Sequence, residues 1–503
     1  MVVVFAAMLR RASSCLVLFV LACAGDPPTS TGPSTATGTT GAPGTTSGAT
    51  AGEVTGEGLT GDGVTGGVTD GGTGDDSGGS SGSGLAETTS EGTSAGESSD
   101  SGEGTTTSEA PPVCPDPPAC ASVELTATEH HLSLLDGCAF ALAANDFAAG
   151  EARADQLLAR TGTAVALDVV LGDLNREAVP GLSAYQADRM KNHDYTGFRW
   201  NDGDGAVDYW YPQGISGGSD ARADSEVAGR RVLLVSWYHN IDRLPDDPPA
   251  RGVRLSLVDI TDVNSIHYRH LLLVTPTGDG DAVNFAAANT GDGDALHAGG
   301  ISWIGDRLYV AETYVGFRVY DMSRVFAIPN TDDEAAIGIS GDEIDAHGYR
   351  YAVPEIGRYK LTADSCPFRF SAVGLDRDAE PPVFVTVEYQ TDLTGRVARW
   401  PVDVATAELV ESAGVVHAVG AALAGQTRMQ GAVTRDGVFY LSSSSQINQW
   451  GRLYRNVPDG TSEITAWPDG PEDLYVERDR ELIWTTAEHP GKRVTLGIPM
   501  QGY

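Results

Sequence analysis

Acidic side chains that could form a catalytic pair occur in the C-terminal half of the chain. Glu312, Glu388 and Glu488 stand at matching places, each four residues after an apolar residue of a predicted strand. Glu472 and Asp473 are adjacent acids where comparable segments carry Gln-Gly or Gly-Gly. Two carboxyl groups roughly 5–9.5 Å apart can act as acid and as base or nucleophile in glycoside hydrolysis. If the protein is an enzyme, Glu472 is the expected acid. The base or nucleophile is then one of Asp473, Glu388 and Glu312.

Amide and imidazole side chains accompany these acids at the ends of predicted strands. Gln213, His297 and Gln430 begin strands, and Glu472 and Glu488 lie where other strands begin or end. An antiparallel second strand ends where the first strand begins, so we expect these five side chains on one face, as a binding site. The alternative is structural. A recurring acid more often accepts hydrogen bonds from the backbone or from arginine, and a lone His beside glycines is more often hydrogen-bonded in place.

Asp-rich loops allow a metal interpretation. The sequence TGDGD occupies 277–281 and is repeated at 290–294. Calcium takes six to eight oxygen ligands, and alternating acids in a turn can supply several of them. The acids that predict a calcium site are Asp279, Asp281, Asp292 and Asp294. Segment 201–208 also partly resembles a calcium loop, but Trp200 stands where such a loop would begin with a carboxylate. Gly-Asp turns are also ordinary loops, so both interpretations stay open.

Composition excludes several other classes of function. The chain of 503 residues has a formal net charge of −36, and residues 113–503 hold 31 Lys and Arg against 56 Asp and Glu. This excess repels phosphate backbones, which argues against sequence-independent binding of nucleic acid. The sequence contains no phosphate-cradling glycine loop, HExxH, GxSxG or CxxCH motif, and no cofactor other than calcium is indicated.

The N-terminal part predicts export. Residues 1–23 combine Arg10 and Arg11 with an apolar run, 15–22, that is too short to cross a bilayer. The run ends in VLAC, which resembles a lipobox, so we expect acylation of Cys23 and anchoring to the cell envelope. A simple signal peptide cut nearby, which would release the protein, is the alternative. Residues 24–112 hold thirteen acids, no Lys or Arg and no aromatic residue, which predicts a disordered acidic linker.

The other four cysteines predict disulfides. Cys114, Cys120, Cys138 and Cys366 form an even set in a protein expected to be exported. Three pairings are possible. A small loop closed by Cys114 and Cys120 would leave Cys138 to pair with Cys366, and this is the pairing we expect. A zinc site is disfavoured, because the spacing matches none of the usual patterns.

The elements that must position these residues are mostly strands. Residues 113–208 predict a small, partly helical cap, with helices at 148–160 and 168–176. From residue 209 to 503, apolar runs recur between Gly, Asp and Pro turns in a pattern of four strands. Repeated four-stranded units predict an all-β fold, a β-propeller of five blades, with six left open. The last unit lacks a fourth strand, which residues 197–201 or 207–210 would supply.

Four motifs resemble those of secreted actinobacterial proteins of the β-propeller type. They are DYWYPQGI at 208–215, VLLVSWY at 232–238, HAGGI at 297–301 and MQGA at 429–432. The resemblance covers roughly residues 150–503. It implies the fold and export, and it implies no activity.

These observations favour a binding module tethered outside the cell, with an extracellular protein or a glycan as its ligand. The motivation is the leader, the long linker and the lack of a strong catalytic motif. The alternative is a carbohydrate-active propeller enzyme of the glycoside hydrolase type that uses carboxylates at the channel. Membrane contact is expected only through the lipid anchor.

Overall fold

The computed structural model describes residues 114–120, 126–244, 249–291, 293–444 and 450–500, which all belong to one compact unit spanning Ser101–Tyr503. The leader, Cys23 and the linker 24–112 lie outside the described residues, so the predictions for them stay predictions. Within the described ranges, no helix has the length and apolar character needed to cross a membrane.

The N-terminal region mixes short strands with helices. Its strands are β1 (Ser133–Leu135), β2 (Ala141–Asn145), β3 (Arg176–Glu177), β4 (Val179–Pro180) and β5 (Thr196–Arg199). Its helices are α1 (Phe147–Thr161), α2 (Leu167–Leu171), α3 (Ala184–Arg189) and α4 (Asp202–Ala206), with a 3-10 turn at Gly137–Ala139. The predicted helix at 148–160 is α1, whereas α2 is shorter than expected and segment 168–176 ends in a strand. This region is therefore more than a helical cap, because its strands pair with the sheets that follow.

In the described residues from 210 onward, the strands form successive antiparallel units, each with four strands of its own except the last, which has three. The first contains β6 (Trp210–Gly217), β7 (Val232–His239), β8 (Val253–Asp259) and β9 (His267–Thr277), with α5 (Gly218–Ala221) after β6 and β10 (Asn284–Ala287) beside β9. The second unit begins with β11 (Ile301–Ile304), β12 (Arg307–Glu312) and β13 (Gly316–Asp321). Three short strands follow: β14 (Phe326–Ala327), β15 (Ile337–Ser340) and β16 (Glu343–Ala346). The fourth strand of this unit is β17 (Tyr351–Leu361).

The remaining three units follow the same order. The third contains β18 (Phe370–Asp376), β19 (Val383–Glu388), β20 (Arg396–Asp403) and β23 (Gly420–Leu423), with β21 (Glu408–Leu409) and β22 (Val416–His417) inserted. The fourth contains β24 (Met429–Arg435), β25 (Val438–Ser443), β26 (Arg452–Asn456) and β27 (Glu463–Ala466). The fifth contains β28 (Pro471–Glu477), β29 (Leu482–Ala487) and β30 (Thr495–Pro499). Further 3-10 turns lie at Ile241–Arg243, Gly280–Ala282, Met322–Arg324 and Arg478–Arg480.

The fifth unit is completed from the N-terminal side. Strand β5 pairs antiparallel with β30, with Phe198 opposite Thr495 and Thr196 opposite Gly497. This confirms the prediction that a segment near 197–201 supplies the missing fourth strand. Pairing of this kind joins the two ends of the array and covers an edge that would otherwise be open.

The first strands of the units contact one another in a cycle, in the order β6, β11, β18, β24, β28 and back to β6. Hydrophobic clusters fill the space between neighbouring sheets, so each sheet is apolar on both faces. Trp303, Trp400 and Trp484, which are almost fully buried, belong to three of these clusters. The prediction of an all-β fold is confirmed, and radially stacked four-stranded sheets are typical of a β-propeller.

The disulfide pairing differs from the expected one. Cys114 is bonded to Cys138, with 5.6 Å between their Cα atoms, and Cys120 is bonded to Cys366, with 5.4 Å between theirs. The expected pairing of Cys114 with Cys120 was wrong. The reason lies in the packing: Cys120 lies against the core cluster that contains Cys366, and this leaves Cys114 to meet Cys138 on its 3-10 turn. Two disulfides indicate an exported protein.

Candidate functional site

Predicted site residues meet at the inner ends of the sheets. The axial cluster comprises Gln213 on β6, Gln430 on β24, Glu472 and Asp473 on β28, and Glu488 directly after β29. Gln213 Nε2 donates to Glu488 Oε2 at 3.1 Å, and Gln430 Nε2 donates to Glu472 Oε1 at 3.3 Å. The structure thus brings together four of the five predicted binding residues.

Asp473 links the first strands of three units, its own strand β28 and the strands β6 and β11. Its Oδ2 accepts hydrogen bonds from the backbone N–H of Ile215 on β6 at 3.3 Å and of Ile301 on β11 at 3.1 Å. A carboxylate that accepts backbone N–H groups in this way serves the join between sheets. One oxygen of Asp473, a predicted base or nucleophile, is therefore occupied by backbone contacts, whereas its Oδ1 has no hydrogen-bond partner among the described residues.

The axial carboxyl groups are protonated more readily than ordinary ones. Burial raises the pKa of Glu472 well above its usual range, and the nearby Glu488 and Asp473 add to the rise. Burial likewise raises the pKa of Glu488 to about 7, with Gln213 and Arg493 opposing the rise. Glu472 and Asp473 are only 1% and 0% exposed. These groups could donate a proton, but burial separates them from solvent.

Glu312 and Glu388 are held by arginines of the following strands. Arg318 donates from Nε and Nη2 to the two carboxylate oxygens of Glu312, at 2.9 and 2.7 Å. Arg396 donates in the same way to Glu388, at 2.6 and 2.8 Å. Burial would raise the pKa of Glu312, but Arg318 outweighs it and lowers the pKa. These contacts are the ones that the structural interpretation expects.

His297 lies apart from the axial cluster's hydrogen bonds. Its ring packs against Tyr238, with 4.6 Å between the ring centroids. Loss of solvation, together with the charge of Arg369, lowers the pKa of His297 to about 4. The imidazole is therefore neutral at physiological pH.

The predicted calcium ligands are not gathered by the part of the chain that is described. Asp279 and Asp281 are exposed at and beside the turn Gly280–Ala282, and Asp292 lies outside the described residues. Within the described ranges, no group of three or more His, Cys, Asp and Glu could hold a metal ion. The calcium site stays a prediction.

A second site lies away from the axis, in a cavity of about 570 Å³ that we call the lateral pocket. Its walls come from the N-terminal region, from β8 and β9 of the first unit, and from the loops before β17. Basic side chains are frequent in this wall: Arg176, Arg251, Arg254, Arg269 and Arg350. Three carboxylates accompany them: Asp173, Asp204 and Glu334. Sequence analysis did not predict this pocket.

Asp204 on α4 organises the floor of the lateral pocket. Its Oδ1 accepts from Arg254 Nη2 at 3.0 Å, and its Oδ2 accepts from Arg176 Nη1 at 3.1 Å and from the Tyr268 hydroxyl at 2.6 Å. Burial would raise the pKa of Asp204, but His270 and these arginines outweigh it and hold the pKa far below its usual range. The segment that resembled a calcium loop therefore places a carboxylate that is already neutralised by side-chain cations.

Arg254 lies between two indole rings. Its guanidinium carbon is 4.7 Å from the ring centroid of Trp210 and 4.6 Å from that of Trp237. Stacking of this kind favours the flat, delocalised arginine cation. Arg254 is 5% exposed, and its Nε has no hydrogen-bond partner among the described residues.

A Ser–His–Asp chain reaches the same carboxylate. Ser256 Oγ is 3.0 Å from His270 Nδ1, and His270 Nε2 is 3.1 Å from Asp204 Oδ2. A nucleophilic serine must face its substrate, but Ser256 is 0% exposed and its hydroxyl also accepts from the Trp237 indole N–H at 2.8 Å. Burial and Arg254 lower the pKa of His270 to about 3. His270 Nε2 lies close to Asp204 but has no hydrogen-bond partner among the described residues, so the three residues do not form a catalytic triad.

The sequence signal for the lateral pocket was weak. Its arginines are scattered singly, and Arg254 alternates with apolar residues inside a predicted strand. The one available hint was an arginine placed between buried positions of a strand, since arginine is almost never fully buried without a partner.

Comparison with known proteins gives no family assignment. No family model matches the chain, and no curated protein matches it. Similar solved structures include a gluconolactonase from Xanthomonas campestris, which is 11% identical, with 65% of this chain and 96% of that one covered at a TM-score of 0.28. A GH43_1 enzyme from Xanthomonas citri is 9% identical, with 62% and 92% covered at 0.28. A β-xylosidase is 11% identical, with 58% and 92% covered at 0.27. Likeness at this level assigns no activity to this chain.

Proposed function

We propose that this protein is an exported five-bladed β-propeller, tethered to the cell envelope through Cys23, that binds a saccharide in the lateral pocket without transforming it. The observation that carries the proposal is the lateral pocket itself, a polar cavity of about 570 Å³ outside the axis. Small-molecule sites commonly occupy about 300–1,000 Å³.

The count of five blades is supported by the strand contacts. Five first strands contact one another in a cycle, and β5 completes the last sheet beside β30. Each pair of neighbouring sheets shares a hydrophobic cluster, including the pair formed by the fifth and the first unit, where Trp484 packs in the same cluster as Trp237. A ring of six would need a further sheet between two units that are already in contact.

Binding is favoured over catalysis by the state of the predicted catalytic groups. Glu312 and Glu388 are paired with arginines, and Asp473 accepts backbone hydrogen bonds. A general acid or base must come within about 3 Å of the proton that it transfers, and Glu472 at 1% exposure offers no such access.

A saccharide fits the lining of the lateral pocket. Half-buried rings of Tyr209 and Tyr349 provide flat apolar surfaces, and the arginines provide hydrogen-bond donors in fixed planes. A few polar groups that converge beside aromatic walls are typical of sites that orient a small polar ligand.

The binding function can be tested by blocking the mouth of the pocket. We would screen the full chain against an array of soluble oligosaccharides by thermal shift, together with Thr331→Trp, which places an indole at an exposed residue of the lining. Thr406→Trp, on an exposed turn outside the lining, is the matched control. We expect at least one saccharide to raise the Tm of the wild type and of Thr406→Trp but not of Thr331→Trp. Turnover of that saccharide, or an equal shift in all three proteins, would overturn the proposal.

The tether can be tested separately. Cys23→Ser removes the acyl acceptor, so the variant should appear in the culture medium while the wild type stays with the membrane fraction. Mass spectrometry of the mature N-terminus would find a diacylated or triacylated Cys23 in the wild type. An unmodified wild-type protein in the medium would contradict the anchor and leave the pocket proposal unaffected.

A second candidate function is glycoside hydrolysis at the axis. It is favoured by one observation, the raised pKa of Glu472, since a general acid must hold its proton at working pH. The test is hydrolysis of aryl glycosides by the wild type and by Glu472→Gln. Activity lost in Glu472→Gln and kept in Thr331→Trp would support the axial enzyme, and hydrolysis unchanged in Glu472→Gln would remove Glu472 from that role.

A further inference from the structure

The lateral pocket is locally cationic in a strongly acidic protein. Five arginines line it against three carboxylates, while the whole chain carries a net charge of −36. A cleft lined mainly by one sign of charge focuses the field and attracts ligands of the opposite sign. The charge balance of this wall therefore selects for an anion.

The deepest arginine has a donor to spare. Arg254 uses one nitrogen for Asp204, and its buried Nε has no partner among the described residues. A buried donor without an acceptor is unfavourable, and an oxyanion that reaches Arg254 would supply the acceptor.

Two arginines at the mouth of the lateral pocket can form hydrogen bonds to a ligand. Arg251 is paired with Glu334 at 3.4 Å, and the Glu334 side chain is 74% exposed. An exposed ion pair of this kind contributes little, so Arg251 can turn to a ligand at small cost. Arg350 is exposed at the same rim and donates from one nitrogen, Nη1, to the Ile328 carbonyl oxygen at 2.8 Å, which leaves the rest of its fork for a ligand.

We propose that the lateral pocket binds the oxyanion of an acidic saccharide unit, with Arg254 as the buried anchor and Arg251 and Arg350 closing on the charge from the rim. This inference rests on the proposed saccharide-binding function and adds the ligand's charge. The recognised group is a carboxylate or phosphate oxyanion, because both accept paired hydrogen bonds from a guanidinium fork. The sugar ring would lie against Tyr209 and Tyr349.

Three sugars with the same ring distinguish a carboxylate ligand from a phosphate ligand, with the neutral sugar as reference. We would titrate the full chain with D-glucuronate, D-glucose 6-phosphate and D-glucose by calorimetry at low and moderate salt. We expect one or both anions to bind and glucose to bind at least tenfold more weakly, with the anion affinity falling as salt rises. Binding of glucuronate alone identifies a carboxylate ligand, and binding of glucose 6-phosphate alone identifies a phosphate ligand.

Substitutions of the pocket arginines then test whether the anion binds beside them. Arg251→Gln should weaken the anion about tenfold, which corresponds to about 1.4 kcal/mol. Arg254→Lys keeps the charge and loses the planar fork, and it should weaken the anion further. Arg455→Gln, on the surface of the fourth unit, is the matched control and should bind like the wild type. Because Arg254→Lys disturbs a buried contact, Arg251→Gln decides the outcome if the lysine variant does not fold.

Two results would overturn the inference. Equal affinity for glucose and the two anions would show that the lateral pocket does not recognise the negative charge of its ligand. The saccharide-binding function would stand. No binding of either anion by folded wild type would also overturn it. The proposed function fails independently, if Thr331→Trp leaves every saccharide response of the screen unchanged.

Discussion

Arg318 and Glu312 lie almost completely inside the second unit and form a bidentate ion pair. Glu355 is also near, 3.6 Å from Arg318 Nη1. Arg318→Met removes the bidentate partner of Glu312 and leaves Arg358, 3.6 Å from Glu312 and 2.5 Å from Glu355, as the neighbouring cation. We therefore expect the free energy of unfolding to fall by about 1–3 kcal/mol in urea denaturation. The control is Arg455→Met, which breaks a surface pair with Glu463 and should cost less than about 1 kcal/mol. Equal losses would contradict the structural role of Glu312.

Glu488 should make stability depend on pH near neutrality. Burial raises its pKa from the ordinary value of 4.5 to about 7, so between these values the folded state keeps a proton that the unfolded state releases. The free energy of unfolding should therefore decrease as pH rises from about 4.5 to about 7, and this contribution should level off above that range. Glu488→Gln carries no titrating proton and should show a smaller decrease, measured by urea denaturation at pH 5 and pH 7.5. A surface variant, Glu463→Gln, serves as control, and parallel curves for wild type and Glu488→Gln would refute the assignment.

At the scale of elements, the join between β5 and β30 depends on a residue without a side chain. A Cβ atom added at Gly197 would lie 2.5 Å from the Thr495 carbonyl oxygen and 2.9 Å from Leu496 Cα. Both atoms belong to the backbone of the partner strand, so the strands must separate to admit even a methyl group. We expect Gly197→Ala to lower the free energy of unfolding by about 1–3 kcal/mol. Gly291→Ala, at a site with no atom within 4 Å of the added Cβ, should be close to neutral. An unchanged Tm for Gly197→Ala would mean that β5 is not required to close the array.

At the scale of the whole molecule, the two disulfides close loops of very different length. Cys120–Cys366 spans 246 residues, and Cys114–Cys138 spans 24. In the chain-entropy account the cost of losing a disulfide grows with the logarithm of loop length. The double variant Cys120→Ser/Cys366→Ser should therefore lose about 2 kcal/mol more stability than Cys114→Ser/Cys138→Ser. Thermal unfolding of both variants under oxidising conditions measures this difference, and the opposite order would contradict the entropic account for this protein.

Strand positions could be predicted closely because they depend on local patterns. Strands β18 (Phe370–Asp376) and β25 (Val438–Ser443) each coincide with an apolar run of the region 209–503, for which recurring strands were predicted. Alternation of apolar residues and turn residues marks such strands without knowledge of their neighbours. The chemistry of the site was less predictable. Sequence position left open whether Glu312 and Glu388 face a ligand or accept hydrogen bonds from arginine. The register of the next strand places Arg318 and Arg396 beside them.

The amino-acid sequence by itself determined the all-β class and the recurrence of strands, narrowed the strand that completes the last sheet to two segments, and indicated export through its cysteines. Only the tertiary structure decided which cysteines pair, which carboxylates are sealed and where the lateral pocket lies. Arg176 and Arg254 stand 28 and 50 residues from the Asp204 that they share. Side chains so distant in the chain meet only through sheet register and through the docking of the N-terminal region on the first unit. Local patterns of hydrophobicity and turns carry no information about either.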